Sequence, residues 1–390
     1  MLVLCNCSSN SLSWRSISNG ELKRRRLSIR SYAMESHAEV CRTEYRKECF
    51  KYVALLKDCA KRKDLCQGTR IHANAMELGL LQKSPYVAST LINMYAKCGL
   101  LHKARKVLEE LPFRNVVAWS ALISGYVQQS EGHMALSCFE TMQNEGISPD
   151  VVTYSSVLKA CGDTRAIEKG KQIHQEIVGM GLLGKDVVLG TALVDMYAKC
   201  GILTKAQQIL EELYTRDEVS WSALITGYVK EEKHTRALTC FERMQIEGLS
   251  PDAVTFSCIL KVCGSIGDVE KGKQIHNKVS SRGLLETDIV LGTALVDMYA
   301  KCGVLGKAQR VLEELPVRTL ISWNAMLSGY AQHGQSHNAL HCLQHMQHEG
   351  FSPNSVTFLS ILKACANMGA IEKGTRFHEE IVNRGFLKDV

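Results

Sequence analysis

The chain repeats itself at a fixed interval of 102 residues. The segment TALVDMYAKCG stands at Thr191–Gly201 and again at Thr293–Gly303, and a related segment, TLINMYAKCG, occupies Thr90–Gly99. Tryptophans keep the same interval, at Trp119, Trp221 and Trp323. Because similar segments build similar local structure, the chain is an array of repeats, each of which buries its apolar face against its neighbours.

Each 102-residue period contains three related units of 35, 36 and 31 residues. In the unit from Val187, the second half carries apolar residues at the i, i+3, i+4, i+7 spacing of a one-sided helix: Ala206, Ile209, Leu210 and Leu213. Gly201 stands where the first helix of that unit must end. We predict an all-α solenoid of helix-turn-helix units at 49–390, about ten in number, with the chain ending as a further short unit would begin.

The positive charge of the chain is concentrated before the repeats. The formal net charge is +7, and residues 1–48, with nine Lys or Arg and five Asp or Glu, supply +4 of it. This segment is rich in Ser and Arg, and Arg30 to Ala33 resembles a mitochondrial processing site. It predicts a transit peptide and a mitochondrial location, with a chloroplast location or a disordered basic tail as alternatives. No run of about 20 apolar residues predicts a membrane span.

Reactive residues recur without the spacing that chemistry needs. Neighbouring recurrent cysteines lie 23 to 40 residues apart, too far for a zinc hook, and we interpret them as packing residues. The recurrent histidines His72, His174, His276 and His378 are interpreted as surface or interface residues. No Cys-x-x-Cys pair occurs, so the zinc site of a cytidine deaminase is absent from this sequence. We therefore expect no metal, no cofactor and no enzymatic activity.

The repeats resemble a known family. Units with openings such as VVTYSSVL and endings such as ISPD resemble pentatricopeptide repeats. Alternating unit lengths, with MYAKCG in the short unit and GKQIH in the preceding one, resemble the plant PLS subclass, which alternates P, L and S units. The resemblance implies a right-handed superhelical solenoid that binds single-stranded organellar RNA, about one nucleotide per unit. It further implies a specificity module for RNA processing or C-to-U editing, with a separate deaminase as a potential partner, and neither DNA nor a membrane as one.

The resemblance also implies which residues contact bases. In this family the fifth residue of the first helix and the last residue of the unit form a base-reading pair. In the S units the pairs are Ser89 with Asn115, Thr191 with Asp217, and Thr293 with Thr319. In the P units they are Ser120 with Asp150, Ser222 with Asp252, and Asn324 with Asn354. The residues expected to flank the bases are Val117, Val188, Val219, Val290 and Ile321.

The family's rules turn these pairs into a base sequence. A hydroxyl with Asp favours G, a hydroxyl with Asn favours A, and Asn with Asn favours C or U. The expected register is A-G, an L-unit position, G-G, a second L-unit position, then an undefined base at Thr293 and Thr319 followed by C or U.

Each of these assignments has an alternative. The last residues of the units also suit helix capping, because Asp and Asn are favoured there. The flanking Val and Ile residues suit a core as well as a base. The alternative for the array as a whole is a protein-binding scaffold, since stacked helix pairs also build such surfaces.

Overall fold

The computed structural model describes residues 45–183 and 186–386, so the predicted transit peptide lies almost entirely outside the described residues. Every regular element in these ranges is a helix. The helices are α1 (45–62), α2 (Leu65–Glu77), α3 (Leu80–Lys83), α4 (Pro85–Lys97), α5 (Leu101–Glu110), α6 (Val116–Gln128), α7 (Gly132–Asn144), α8 (Val151–Thr164), α9 (Ile167–Gly179), α10 (Val187–Lys199), α11 (Leu203–Glu212), α12 (Glu218–Lys230), α13 (His234–Ile246), α14 (Ala253–Ile266), α15 (Val269–Ser281), α16 (Leu284–Thr287), α17 (Ile289–Lys301), α18 (Leu305–Glu314), α19 (Leu320–Gln332), α20 (Ser336–His348), α21 (Ser355–Asn367) and α22 (Ile371–Asn383).

The helices form two compact bodies, which divide after Gln129. We call the first helix of each repeat unit its A helix and the long helix that follows it the B helix. In the N-terminal body, α4 packs on α5 and α6. In the C-terminal body, the A helices α8, α10, α12, α14, α17, α19 and α21 pack side by side in chain order, and each also contacts the B helix of its own unit. This confirms the predicted all-α solenoid of stacked helix pairs.

The unit boundary is set by capping. From Pro85 onward, successive A helices begin 31, 35 or 36 residues apart, and the residue directly before each A helix is its N-cap. The side chain of Asp217 accepts a hydrogen bond from the backbone N–H of Ser220, and that of Asn354 accepts one from Thr357. Such bonds satisfy backbone donors that have no partner inside the helix.

The repeated MYAKCG segment is packing structure. Gly201 has φ +79°, a left-handed conformation that ends α10. Met298 of α17 lies against Gly272 of α15, where an added Cβ would stand 2.5 Å from the Met298 Sδ atom. Tyr299 is 1% exposed and its hydroxyl lies 3.0 Å from Nδ1 of His276. The Met and Tyr of the segment therefore recur because they pack the A helix against a Gly and a His of the preceding B helix, and the Gly of the segment recurs because it ends the A helix.

The same His–Tyr contact occurs three times within the residues that the structure describes. His72 lies 2.9 Å from Tyr95, and His174 lies 3.0 Å from Tyr197, each with edge-to-face rings. Burial lowers the pKa of these histidines and of His276, which keeps them neutral near pH 7. These three are thus residues of the contact between neighbouring units, whereas His378 is exposed on α22.

Most recurrent cysteines are buried, and the A-helix C-cap cysteines are half-buried. Burial raises the pKa of the Cys161, Cys263 and Cys342 thiols to about 12, so they stay protonated and unreactive. Among the described residues, no group of three or more His, Cys, Asp or Glu could hold a metal ion. Within the same ranges, no helix has the length and apolar content that crossing a bilayer requires.

Candidate nucleic-acid interface

The residues expected to read bases lie at the N-terminal ends of the A helices. Within the C-terminal body, the fifth residue of one A helix lies near the N-cap of the next, because successive A helices there pack side by side. Residues 26 to 33 positions apart in the chain are thus brought within hydrogen-bonding distance. Capping and pairing are therefore compatible roles for one side chain, and not alternatives.

Thr191 and Asp217 form the most direct pair. The Thr191 hydroxyl lies 3.2 Å from Oδ1 and 3.3 Å from Oδ2 of Asp217. Asp217 at the same time accepts the Ser220 N–H at 2.8 Å, and the Ser220 hydroxyl donates to the Asp217 carbonyl. The carboxylate keeps acceptor capacity beyond these bonds, since two oxygens offer about four lone-pair positions.

Thr293 and Thr319 form no such pair. The Thr293 hydroxyl donates to the carbonyl of Ile289 in its own helix at 2.9 Å. Thr319 caps α19, accepting the Ser322 N–H at 3.2 Å. Within the residues that the structure describes, no hydrogen bond joins the two hydroxyls, so this unit presents separate polar groups.

Ser222 and Asp252 are joined through a third residue, Thr255. The Thr255 hydroxyl lies 2.6 Å from Oδ1 of Asp252 and 3.0 Å from the Ser222 hydroxyl. Ser222 is 9% exposed, while Asp252 is exposed. No role was predicted for Thr255 from the sequence. Its recurrence was a signal that could have identified it, because Thr also stands at the third position of α8 and of α21.

Asn324 and Asn354 bond both directly and through Thr357. Nδ2 of Asn324 donates to Oδ1 of Asn354 at 3.2 Å. The Thr357 hydroxyl lies 2.7 Å from Oδ1 of Asn324 and 2.9 Å from Oδ1 of Asn354. Both amide oxygens are therefore held by the protein.

The remaining candidates are placed individually. Ser89 in α4 is 6% exposed and donates to the carbonyl of Tyr86, while Asn115 caps α6 through the Ala118 N–H at 2.9 Å. The structure describes no hydrogen bond between Ser89 and Asn115. Ser120 belongs to the N-terminal body and Asp150 to the C-terminal one. Ser120 donates to the Val116 carbonyl at 2.7 Å, and Asp150 caps α8.

The residues expected to flank bases are exposed and do not belong to the core. Their exposure rises from 47% at Val117 and 56% at Val188 to 72% at Ile321. The same second position of the other A helices is also apolar and exposed, at Tyr86, Val152, Val254 and Val356. Single exposed apolar residues are ordinary, but their recurrence at one helical position indicates a function. Val152, Val254 and Val356 belong to the L units, for which no flanking residue was predicted, and Tyr86 of the first S unit was not predicted either.

Grooves lie beside these pairs in the C-terminal body. One, of about 650 Å³, is lined by Val290, Thr293, Thr319, Ile321 and Asn324, and also by Lys261 and Lys301. A second, of about 220 Å³, is lined by Val219, Ser222, Asp252 and Lys199 among others. Each combines apolar walls with polar groups that belong to the predicted pairs.

Lysines add positive charge to this face. Lys159, Lys261 and Lys363 recur at the ninth position of α8, α14 and α21, are exposed, and form no ion pair within residues 45–183 and 186–386. Lys199, in contrast, bonds Asp163 and Asp195 at 2.8 Å each. Burial alone would lower the pKa of Lys199, but these two carboxylates raise it. Lys159, Lys261 and Lys363 are therefore able to bind the phosphates of a nucleic-acid backbone. Their spacing of 102 residues could have been recognised from the sequence.

The fold and this face define a helical-repeat protein with an exposed row of apolar and hydrogen-bonding side chains. A model of the PPR repeat family matches residues 114–163, 216–265 and 318–367, and one of the PPR repeat matches 86–116, 152–182, 254–284 and 356–386. Together they cover more than half of the chain. The chain belongs to the pentatricopeptide repeat family.

Relatives in Arabidopsis thaliana carry the family name. A mitochondrial pentatricopeptide repeat-containing protein is 37% identical over 322 residues, covering 83% of this chain and 31% of the relative. A second mitochondrial protein is 34% identical, and the match covers 86% of this chain and 60% of the relative. A chloroplastic protein is 32% identical, and the match covers 95% of this chain and 59% of the relative. The chain thus spans between about a third and three-fifths of the length of these relatives.

A solved structure shares the fold. The pentatricopeptide repeat protein PPR10 in complex with an 18-nucleotide psaJ RNA element matches with a TM-score of 0.65 at 21% identity. The match covers 80% of this chain and 47% of that protein. At this identity the likeness establishes the stacked helix-pair fold.

Proposed function

We propose that the chain binds single-stranded RNA in an organelle and selects bases by the hydrogen-bonding pairs at the A-helix N-termini. The observation that carries the proposal is the bond between Thr191 and Asp217, beside the exposed Val188 and Val219. A single-stranded base exposes its Watson–Crick edge and its ring face, and this surface offers a partner for each. A repeat protein of the same fold, PPR10, has been solved with RNA, and named relatives are mitochondrial or chloroplastic.

The charge of the surface supports an RNA partner over a protein partner. Lys159, Lys261 and Lys363 recur on the A-helix layer without carboxylate partners. Phosphates bound by such lysines release counterions, so affinity should fall as salt rises. A protein-binding scaffold does not require a hydrogen-bonding pair at one fixed position of successive units.

In the C-terminal body, the pair Thr191 and Asp217 and the pair Ser222 and Asp252 are each proposed to prefer G. An L-unit position follows, and then the pair Thr293 and Thr319, whose base is undefined. The pair Asn324 and Asn354 is proposed to prefer C or U. The finer proposal is a non-catalytic module of the PLS subclass that gives specificity to RNA processing or C-to-U editing. Under this proposal a separate deaminase would act in trans, and the mitochondrion is favoured over the chloroplast by the Arg30 to Ala33 motif.

Selection from a randomised RNA pool tests the proposal. The enriched motif should contain adjacent G bases, and Asp252→Asn should shift the second of them from G toward A by about tenfold, which corresponds to about 1.4 kcal/mol. Asp268→Asn is the matched control, because Asp268 also caps a helix, bonding Lys271 N–H at 2.9 Å, but caps the B helix α15. Salt-independent binding, or an unchanged motif in Asp252→Asn, would favour the protein-scaffold alternative and a capping role.

A further inference from the structure

A groove of about 450 Å³ lies between α18, α19 and α20 of the C-terminal body, and none of the candidate base-reading residues lines it. On α19 its lining residues are Trp323, Met326 and Tyr330. The groove beside the candidate pairs is lined by Asn324 and Ser328 of the same helix. The two grooves therefore lie on different faces of α19, and a ligand in the first would leave the proposed RNA surface free.

The equivalent place 102 residues earlier in the chain is occupied by an arginine of the protein itself. The guanidinium of Arg243 lies over the ring of Trp221, with its Cζ atom 5.4 Å from the ring centroid. Its Nη1 atom donates to Oε1 of Glu211 at 3.1 Å. Gln207 orients this carboxylate, because its Nε2 atom also donates to Oε1, at 3.0 Å. An aromatic face and a carboxylate thus hold one guanidinium together.

The 450 Å³ groove has the same aromatic face and carboxylate. Trp323 and Glu313 stand 102 residues after Trp221 and Glu211. Gln309 again orients the carboxylate, since its Nε2 atom donates to Oε1 of Glu313 at 2.9 Å. Within residues 45–183 and 186–386, Glu313 forms no ion pair. The two groups that hold a guanidinium in the earlier copy are therefore present here and unoccupied by a cation of the described chain.

The arginine itself is replaced by a histidine. His345 stands 102 residues after Arg243, and its ring lies against that of His341, with the two centroids 4.6 Å apart. Histidine is shorter than arginine and carries no guanidinium. The groove that Trp323 and Glu313 line is consequently open in this copy.

The polar groups of the groove are incompletely paired. The indole N–H of Trp323, which is 7% exposed, has no hydrogen-bond partner among the described residues, whereas that of Trp221 donates to a glutamate at 2.9 Å. The lining residues include two carboxylates, Glu313 and Glu349, and one guanidinium, that of Arg318, which bonds Glu349. With neutral histidines, the groove therefore has a net charge of −1.

We propose that this groove binds an arginine side chain of a partner protein, in the place that Arg243 occupies 102 residues earlier. The guanidinium stacks on Trp323 and bonds the carboxylate of Glu313, and its positive charge complements the net negative charge of the groove. Free arginine fits less well, because its own carboxylate would lie near Glu313 and Glu349. The groove is thus a protein-docking site that acts independently of the proposed RNA-binding face.

The indole N–H resonances of the full chain give a direct readout of this site. The chain has four tryptophans, and Trp323→Phe identifies the resonance concerned. Titration with N-acetyl-arginine amide should shift the Trp323 resonance with a Kd of about 1 mM, as suits a small probe at a partly exposed site. The neutral isostere N-acetyl-citrulline amide should bind about tenfold more weakly. Trp221 is the internal control, and its resonance should not move, because Arg243 already covers its ring.

Substitutions in the groove test which groups hold the probe. Glu313→Gln should weaken its binding about tenfold, because the charged acceptor is lost. Glu314→Gln is the matched control, since this neighbouring carboxylate does not line the groove and its loss should leave binding unchanged. His345→Arg gives this copy the arginine of the earlier one and should abolish the shift at Trp323. The reciprocal Arg243→His should make the earlier copy respond to the probe.

Four results would overturn the proposal. They are an unmoved Trp323 resonance at about 10 mM probe, equal binding of the citrulline amide, and unchanged binding in His345→Arg or in Glu313→Gln. Tighter binding of free arginine than of the amide would assign the groove to a small molecule, and would overturn the protein partner. RNA affinity measured with and without the probe should be the same, so this proposal and the RNA-binding function can fail separately.

Discussion

Two segments of the chain have the same sequence and different hydrogen bonds. Thr191–Gly201 and Thr293–Gly303 both end an A helix at a left-handed Gly, and in both a Met lies on the Gly of the preceding B helix. The His–Tyr distance is 3.0 Å in each. The two segments are thus equivalent as packing structure.

They differ at their first residue. The Thr191 hydroxyl bonds Asp217, whereas the Thr293 hydroxyl turns back to the Ile289 carbonyl. The cause lies 26 residues downstream, where one chain segment has Asp217 and the other Thr319. The hydrogen bond of a unit's pair therefore depends on two segments of the chain, and only one of them is repeated faithfully.

Asp217→Thr should convert the first segment into the second. Thr319 shows that Thr still caps this helix, accepting an N–H at 3.2 Å, so the fold should survive. Loss of the carboxylate should lower the preference for G at this unit by tenfold or more, about 1–3 kcal/mol for a bidentate base contact. Competition binding with RNAs that differ at one base measures it, with Asp268→Thr as the control. A preserved preference would mean that Asp217 acts only as a cap.

Thr319→Asp should convert the second segment into the first. The Thr293 hydroxyl should leave the Ile289 carbonyl and bond the new carboxylate, giving a G preference of about fivefold. The gain is smaller because the existing 2.9 Å bond must be broken first. Adding Thr293→Val should abolish the gain if the two residues act as a pair, and the double-mutant cycle measures that coupling. A gain that survives Thr293→Val would contradict the pairing.

The shared packing should respond to acid equally in both segments. Burial lowers the pKa of His174 and His276, so below about pH 6.5 the unfolded chain binds more protons than the folded one. The stability contributed by these neutral histidines is therefore present above that pH and is lost as the pH falls below it.

His174→Gln and His276→Gln should each reduce this acid sensitivity. The melting temperature at pH 7.5 minus that at pH 5.5 should be about 2 °C smaller in each variant than in the wild-type chain. The neighbouring charges also correspond, since the nearby charged groups are Lys205 and Glu212 in one segment and Lys307 and Glu314 in the other. Unequal effects of the two substitutions would show that the two copies are not equivalent packing.

Much of the fold could be predicted because its causes are local. The apolar stripe of α11, the Gly after α10 and the Asp or Asn before most A helices can be predicted from a few neighbouring residues. The positions of the candidate pairs also followed from the sequence, although through a family resemblance. What the resemblance did not supply was the involvement of Thr255 and Thr357, or the exposure of Val152, Val254 and Val356.

The sequence by itself determined the repeat, its helix pairs and the residues that close each helix, because helical periodicity and capping act over one or two turns. Only the tertiary structure decided which hydroxyl bonds which acceptor. Thr191 and Thr293 have the same neighbours in the chain, but the N-cap of the next A helix offers a carboxylate only to Thr191, so the single hydroxyl proton of Thr293 goes to the Ile289 carbonyl of its own helix. Hydrogen-bond direction is thus set where helices distant in sequence meet.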